Sequence, residues 1–174
     1  MYTVDQLDSV VELDNVPQSS VGAPLPMILC GEHFLHLAYL LQATPKNWDG
    51  RTVRIVSEET EGEPCALVKF DGEISHMFGP PNDEAFAGHP LASRGLRPYG
   101  VFEIKNSSWI RQLERMNSVH PYHARVAERY SRYRHLIFAF HDTTFECVAM
   151  GFSISIHQGS ISSVLRDSWP SQQM

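Results

Sequence analysis

The chain has 174 residues, 43% apolar and 20% charged, with a net charge of −6. That is an ordinary globular mixture, long enough to bury roughly 70% of its unfolded surface without a disulfide or a metal. No apolar run reaches membrane-spanning length, and the overall acidity argues against generic nucleic-acid binding.

The charge is unevenly spread. Residues 1–88 hold 14 acids and 4 bases, whereas 89–174 hold 6 acids and 10 bases. Six of the 11 arginines fall between Arg111 and Arg134. The opening MYTVDQLDSV has no basic or apolar leader pattern, and Cys30, Cys65 and Cys147 are odd in number and lie in apolar runs. Both features lead us to expect a cytoplasmic protein with reduced, buried thiols.

In chain order, Thr3-x-x-Gln6 matches a capping box and predicts an amphipathic helix over 4–14, with Val4, Leu7, Val10 and Val11 on one face. Asn15–Pro26 reads as an extended connector. Met27–Cys30 and His33–Leu41 read as strands joined by a tight turn at Gly31-Glu32. Gln42–Gly50 is a loop, and Thr52–Ser57 a further strand. Cys65–Phe70 and Glu73–Phe78 flank Asp71-Gly72, a strong hairpin signal. Gly79–Gly100 carries four prolines and four glycines; a loop of that length is often functional or partly helical.

Val101–Lys105 is expected as a strand. Asn106, Ser107 and Ser108 can cap a helix over Trp109–Met116, with Trp109, Ile110, Leu113 and Met116 as its buried stripe. Pro121 suits the first turn of a second helix reaching Tyr133. His135–Phe152 predicts a hairpin turning on Thr143–Thr144, which pairs His141 with Glu146. Its faces would carry Leu136, Phe138, Phe140, Phe145 and Cys147 on one side, and Ile137, Ala139, Val148, Met150 and Phe152 on the other. The expected architecture is α+β: a mainly antiparallel, strongly bent sheet of about eight strands built from hairpins, with about three helices packed on it. Residues 1–157 would form one domain and 158–174 a loose tail.

Nine histidines are about twice the usual share. His120 and His123, three apart, could join His141, Asp142 and Glu146 to bind zinc or another divalent ion and activate a water. No established metal motif is present, and a cross-strand His141–Glu146 hydrogen bond is the simpler reading. His33 and His36 are three apart on a strand and face opposite ways. The hairpin register puts Cys147 on the face opposite His141, against a Cys–His dyad. His89, in the long loop, could serve as a general acid or base, or could simply bond its own backbone. Arg111, Arg115, Arg125, Arg129 and Arg132 lie among tyrosines and could grip an anion or stack on bases. A solvated helix face with nearby glutamates is the simpler reading.

Three segments carry a resemblance to known chains: Ala87-Gly88-His89-Pro90-Leu91 with Arg94-Gly95-Leu96, Asn106-Ser107-Ser108-Trp109-Ile110, and Phe140-His141-Asp142-Thr143-Thr144-Phe145-Glu146. Over about residues 65–150 the chain resembles a widespread set of uncharacterised small bacterial proteins of unknown function. The resemblance implies a bacterial, single-domain protein and supplies no activity or cofactor.

With no catalytic motif, the expectation is a non-catalytic cytoplasmic binding or interaction domain, of an accessory or immunity type. It would have no cofactor and would meet a protein partner or a second copy of itself through the 79–100 loop and the arginine helices. The alternative is a metal-assisted hydrolase using His120, His123, His141 and Glu146 with zinc or another divalent metal. Candidate catalytic residues are His89, His141 and Glu146. No membrane partner is expected, and nucleic acid is disfavoured.

Overall fold

Alternation of inward and outward side chains builds the centre of the molecule. The computed structural model describes residues 2–43, 51, 55–123 and 127–170. Among these residues nine strands form two antiparallel sheets, and two α-helices accompany them. The strands are β1 (Ser9–Glu12), β2 (Met27–Gly31), β3 (Phe34–Leu40), β4 (Pro64–Asp71), β5 (Ser75–Gly79), β6 (Val101–Lys105), β7 (Arg134–Ala139), β8 (Thr144–Ala149) and β9 (Gly151–Gln158). One sheet runs β1-β6-β7-β8-β5 and the other β2-β3-β4-β9. The α+β class with antiparallel pairing is as expected, but the strands divide between two sheets instead of following one strong bend.

The central core lies between the sheets. Leu35, Leu37 and Tyr39 of β3 and Ala66, Val68 and Phe70 of β4 meet Leu136, Phe138, Phe145, Cys147 and Ala149 of β7 and β8. Outward residues of β3 and β4, Ala38, Leu40, Cys65 and Leu67, are covered by Ile161, Val164 and Leu165. Those three lie on α2 (Ile161–Asp167), which Ser160 caps by accepting the Ser163 N–H. Within the segment expected to be a loose tail, Ile161–Asp167 is therefore tied down by a buried i, i+3, i+4 stripe. On the outer face of the five-stranded sheet, Phe86, Leu91 and Leu96 of the 79–100 loop cover Phe102, Ile104, Ile137 and Ala139. The loop makes 3-10 turns at Phe86–Gly88 and Ala92–Arg94.

Several local expectations change. The predicted 4–14 helix is a turn followed by β1, which pairs with β6 from Ser9↔Lys105 to Glu12↔Phe102. Asp8 fixes this geometry: its carboxylate accepts the backbone N–H groups of Asp5 and Ser108, at 2.8 and 2.6 Å. The contact across 100 residues outweighs the local capping box. The Asp71-Gly72 turn does form, with Gly72 at φ +56°, where a side chain is disfavoured. It is not a hairpin: β4 pairs with β3 and β9, and β5 pairs with β8, so the chain changes sheets there. It changes back between β8 and β9, at Met150. Phe152 consequently packs on the central core rather than beside Ile137.

The first hairpin closes at Gly31↔Phe34, so its turn is Glu32-His33. Helix α1 (Ser108–Asn117) starts as predicted, with Ser107 Oγ accepting the Ile110 N–H, but Met116 is 66% exposed. Of the second predicted helix, Pro121 and Tyr122 form a turn, His123 is helical and Ala127–Arg132 is a 3-10 segment, while 124–126 lie outside the described residues. Of the strand expected over 52–57, residues 52–54 lie outside the described residues, and Ile55, Val56 and Ser57 form no strand. Cys30 is exposed, whereas Cys65 and Cys147 are buried. No helix among the described residues is long and apolar enough to cross a membrane.

Candidate functional site

The β7–β8 turn is centred on His141-Asp142, two residues before the predicted centre. Ala139 pairs with Thr144, and the Phe140 N–H donates to the Thr143 carbonyl. Thr144 is held in strand from both sides, because it also pairs with Gly79 of β5, and its hydroxyl donates to the Pro81 carbonyl. Moving the turn by two residues keeps every side chain on its face. Cys147 stays in the inner core, where burial pushes its thiol well above the ordinary range. The predicted His141–Glu146 pair is lost: Glu146 now sits opposite Ile137 and diagonal to His135.

Glu146 is the centre of a buried polar cluster. His89 Nε2 lies 3.1 Å from Oε1, His135 Nε2 lies 3.0 Å from Oε2, and the Tyr2 hydroxyl donates to Oε2 at 2.8 Å. All four residues are buried. Hydrogen-bond accounting assigns the protons. His89 Nδ1 accepts the Leu91 N–H at 3.1 Å, so its Nε2 carries the hydrogen that bonds Glu146. Ser107 Oγ accepts from Ile110 N and lies 2.9 Å from His135 Nδ1. The ionised Glu146 carboxylate can only accept, so His135 is also an Nε2–H donor. Trp109 and Tyr2 pack edge-on to the His135 ring, with centroids at 5.0 and 5.2 Å, and fix its tilt. Burial by itself disfavours the ionised carboxyl, but the hydrogen bonds from His135 and His89 outweigh it and hold the Glu146 pKa down at about 2.

Tyr2, His89 and Glu146 of this cluster line a cleft of about 440 Å³. Met77 and Phe78 of β5, then Pro80, Pro81, Ala85 and Pro90 of the long loop, give it apolar walls. Tyr2, His89, Thr144 and Glu146 supply its polar groups. A mostly apolar concavity with a few convergent polar groups is the usual form of a small-molecule site.

A second cluster fastens the same loop to the hairpin turn. The Asp83 N–H donates to the His141 carbonyl at 2.9 Å. Tyr99 donates its hydroxyl to Asp83, while His141 Nδ1 lies 3.0 Å from Asp83 Oδ2 and 2.8 Å from the Tyr99 oxygen. The Tyr99 bond holds Asp83 below the usual carboxylate range, and the same bond pushes Tyr99 up to about 12. Tyr99 has φ +60°, a left-handed conformation that side chains disfavour, and Gln18 Nε2 donates to its carbonyl at 2.8 Å.

The remaining candidates are dispersed. His120 Nδ1 accepts the Tyr122 N–H, and His123 Nε2 lies 3.9 Å from Glu114. Asp142 is exposed, 3.9 Å from His141 Nε2. His120, His123, His141, Asp142 and Glu146 therefore do not gather around one point. Among the described residues no group of three or more His, Cys, Asp or Glu side chains is placed to hold a metal ion.

Among the described residues the candidate arginines have separate surroundings, although Arg111 and Arg132 line one groove. Arg111 bonds Asp5 and the Asn106 carbonyl; Arg129 lies over the Tyr133 ring at 5.8 Å; Arg115 and Arg132 are exposed; Arg125 lies outside the described residues. Glu103 and Glu114 share a groove with Arg111 and Arg132 and dilute its charge. Tyr2, His135 and Ser107 went unpredicted. His135 was legible in principle, as the diagonal partner of Glu146 once the turn is placed correctly. No family model, curated protein or solved structure matches the chain.

Proposed function

We propose that this protein is a non-catalytic cytoplasmic binding domain that takes a small ligand in the cleft between β5, β8 and the 79–90 part of the long loop. The observation that carries this reading is the buried carboxylate at the base of an otherwise apolar concavity. Both nitrogens of His89 and of His135 are committed to structural hydrogen bonds, so neither ring is placed to exchange a proton with a substrate. The cleft is suited to holding a molecule rather than transforming it. The hydrolase alternative gains no support, because its histidines are spread over separate partners.

Methyl-labelled methionine NMR tests this reading. Met77 lines the cleft, whereas Met27, Met116 and Met150 do not. Titration at millimolar concentration with a phenyl-bearing panel of phenethylammonium, phenethyl alcohol and hydrocinnamate should shift the Met77 methyl selectively and saturably for at least one member. A Met77 signal unmoved by all three contradicts the reading.

A further inference from the structure

We propose that the ligand taken by this cleft is a primary ammonium carrying a compact apolar body, an inference that rests on the cleft being the binding site. The polar side chains lining the cleft leave acceptors open and have spent their hydrogens. A carboxylate offers about four acceptor positions. Glu146 fills two on Oε2, with Tyr2 and His135, and one on Oε1, with His89, which leaves one on Oε1. The Tyr2 hydroxyl spends its hydrogen on Glu146 and can still accept. The Thr144 hydroxyl spends its hydrogen on the Pro81 carbonyl and can still accept. Each of these three residues lines the cleft. His89, the other polar wall, has no free N–H, since its hydrogen goes to Glu146.

Charge points the same way. Among the described residues no lysine or arginine hydrogen-bonds Glu146, whose partners are His89, His135 and Tyr2. A buried charge is normally paired. An –NH3+ group presents three N–H donors and one positive charge, matching three open acceptors and the negative charge of the Glu146 carboxylate. Met77, Phe78 and the prolines supply the surface for its apolar part. A carboxylate or phosphate ligand would meet the like charge of Glu146 there.

The same Met77 titration, read as dissociation constants, separates this claim from the broader one. Phenethylammonium should bind on the order of tenfold or more tighter than phenethyl alcohol, and hydrocinnamate should bind most weakly. Phenethyltrimethylammonium keeps the charge but has no N–H, and should lose on the order of tenfold relative to phenethylammonium. An alcohol or a quaternary ammonium that binds as tightly as the primary ammonium overturns the ammonium assignment while leaving the cleft as a binding site. Absence of any Met77 response overturns both.

Discussion

Replacing Glu146 by Leu should cost about 4 kcal/mol of stability, because it leaves three buried donors without an acceptor at about 1–3 kcal/mol each. The donors are His89 Nε2–H, His135 Nε2–H and the Tyr2 hydroxyl. They reach Glu146 from 57, 11 and 144 residues away along the chain, so one carboxylate joins the N-terminal segment, the long loop and β7. Glu146→Gln should be milder, about 2 kcal/mol, since its amide oxygen still accepts while its NH2 faces a donor. Urea unfolding with an unchanged denaturant slope would report both differences. A Leu variant within about 1 kcal/mol of the parent would show that the cluster contributes little to holding the elements together.

The second large effect is expected at Phe138. It is fully buried between the sheets, and its ring lies 5.9 to 6.5 Å from those of Phe70, Phe145, Phe152, Tyr39 and Phe140. These rings come from β3, β4, β8 and β9 and from the residue following β7, so Phe138 fills space shared by both sheets. Truncation to Ala removes most of that buried surface and leaves a cavity that a rigid two-sheet interior closes only in part, a loss of about 3–5 kcal/mol. Val119→Ala, at 88% exposed, serves as the control and should change stability by less than about 0.5 kcal/mol. Equal midpoints for the two variants in thermal or urea unfolding would contradict the packing described.

The contrast between these two positions shows how far the sequence could be read. Phe138 was legible: the alternation of Leu136, Phe138 and Phe140 against Ile137 and Ala139 depends only on period two, and a turn misplaced by two residues leaves it intact. The inward Cys147 survives for the same reason. The Glu146 partners were not legible in that way. Pairing is sensitive to register even where facing is not, and the registry here is set by β5, which holds Thr144 in strand through Gly79 and Pro81. His89 and Tyr2 reach the carboxylate by tertiary approach, which leaves no local spacing to detect.

The other departures have the same cause. Asp71-Gly72 marked a turn correctly, but the turn chemistry says nothing about which sheet receives the next strand. The Thr3-Gln6 box lost to Asp8, whose carboxylate caps a helix start 100 residues away. In the last segment, Ser160 followed by Ile161, Val164 and Leu165 is a short helix with a cap and one apolar stripe. It is only two turns long and surrounded by serines, so the apolar pattern is easily missed until β3 and β4 offer a face to cover.

The central claim is that Glu146 is an ionised, buried carboxylate held by His135, His89 and Tyr2. Its pKa is lowered on folding, so its contribution to stability is fully present above its ordinary value of 4.5 and is lost as pH falls from there towards about 2. The carboxyl-carbon chemical shift of Glu146, followed by NMR through an acid titration of the folded protein, reads this directly. The expected midpoint is near 2, below that of the exposed glutamates in the same spectrum; a midpoint at or above 4.5 would contradict it.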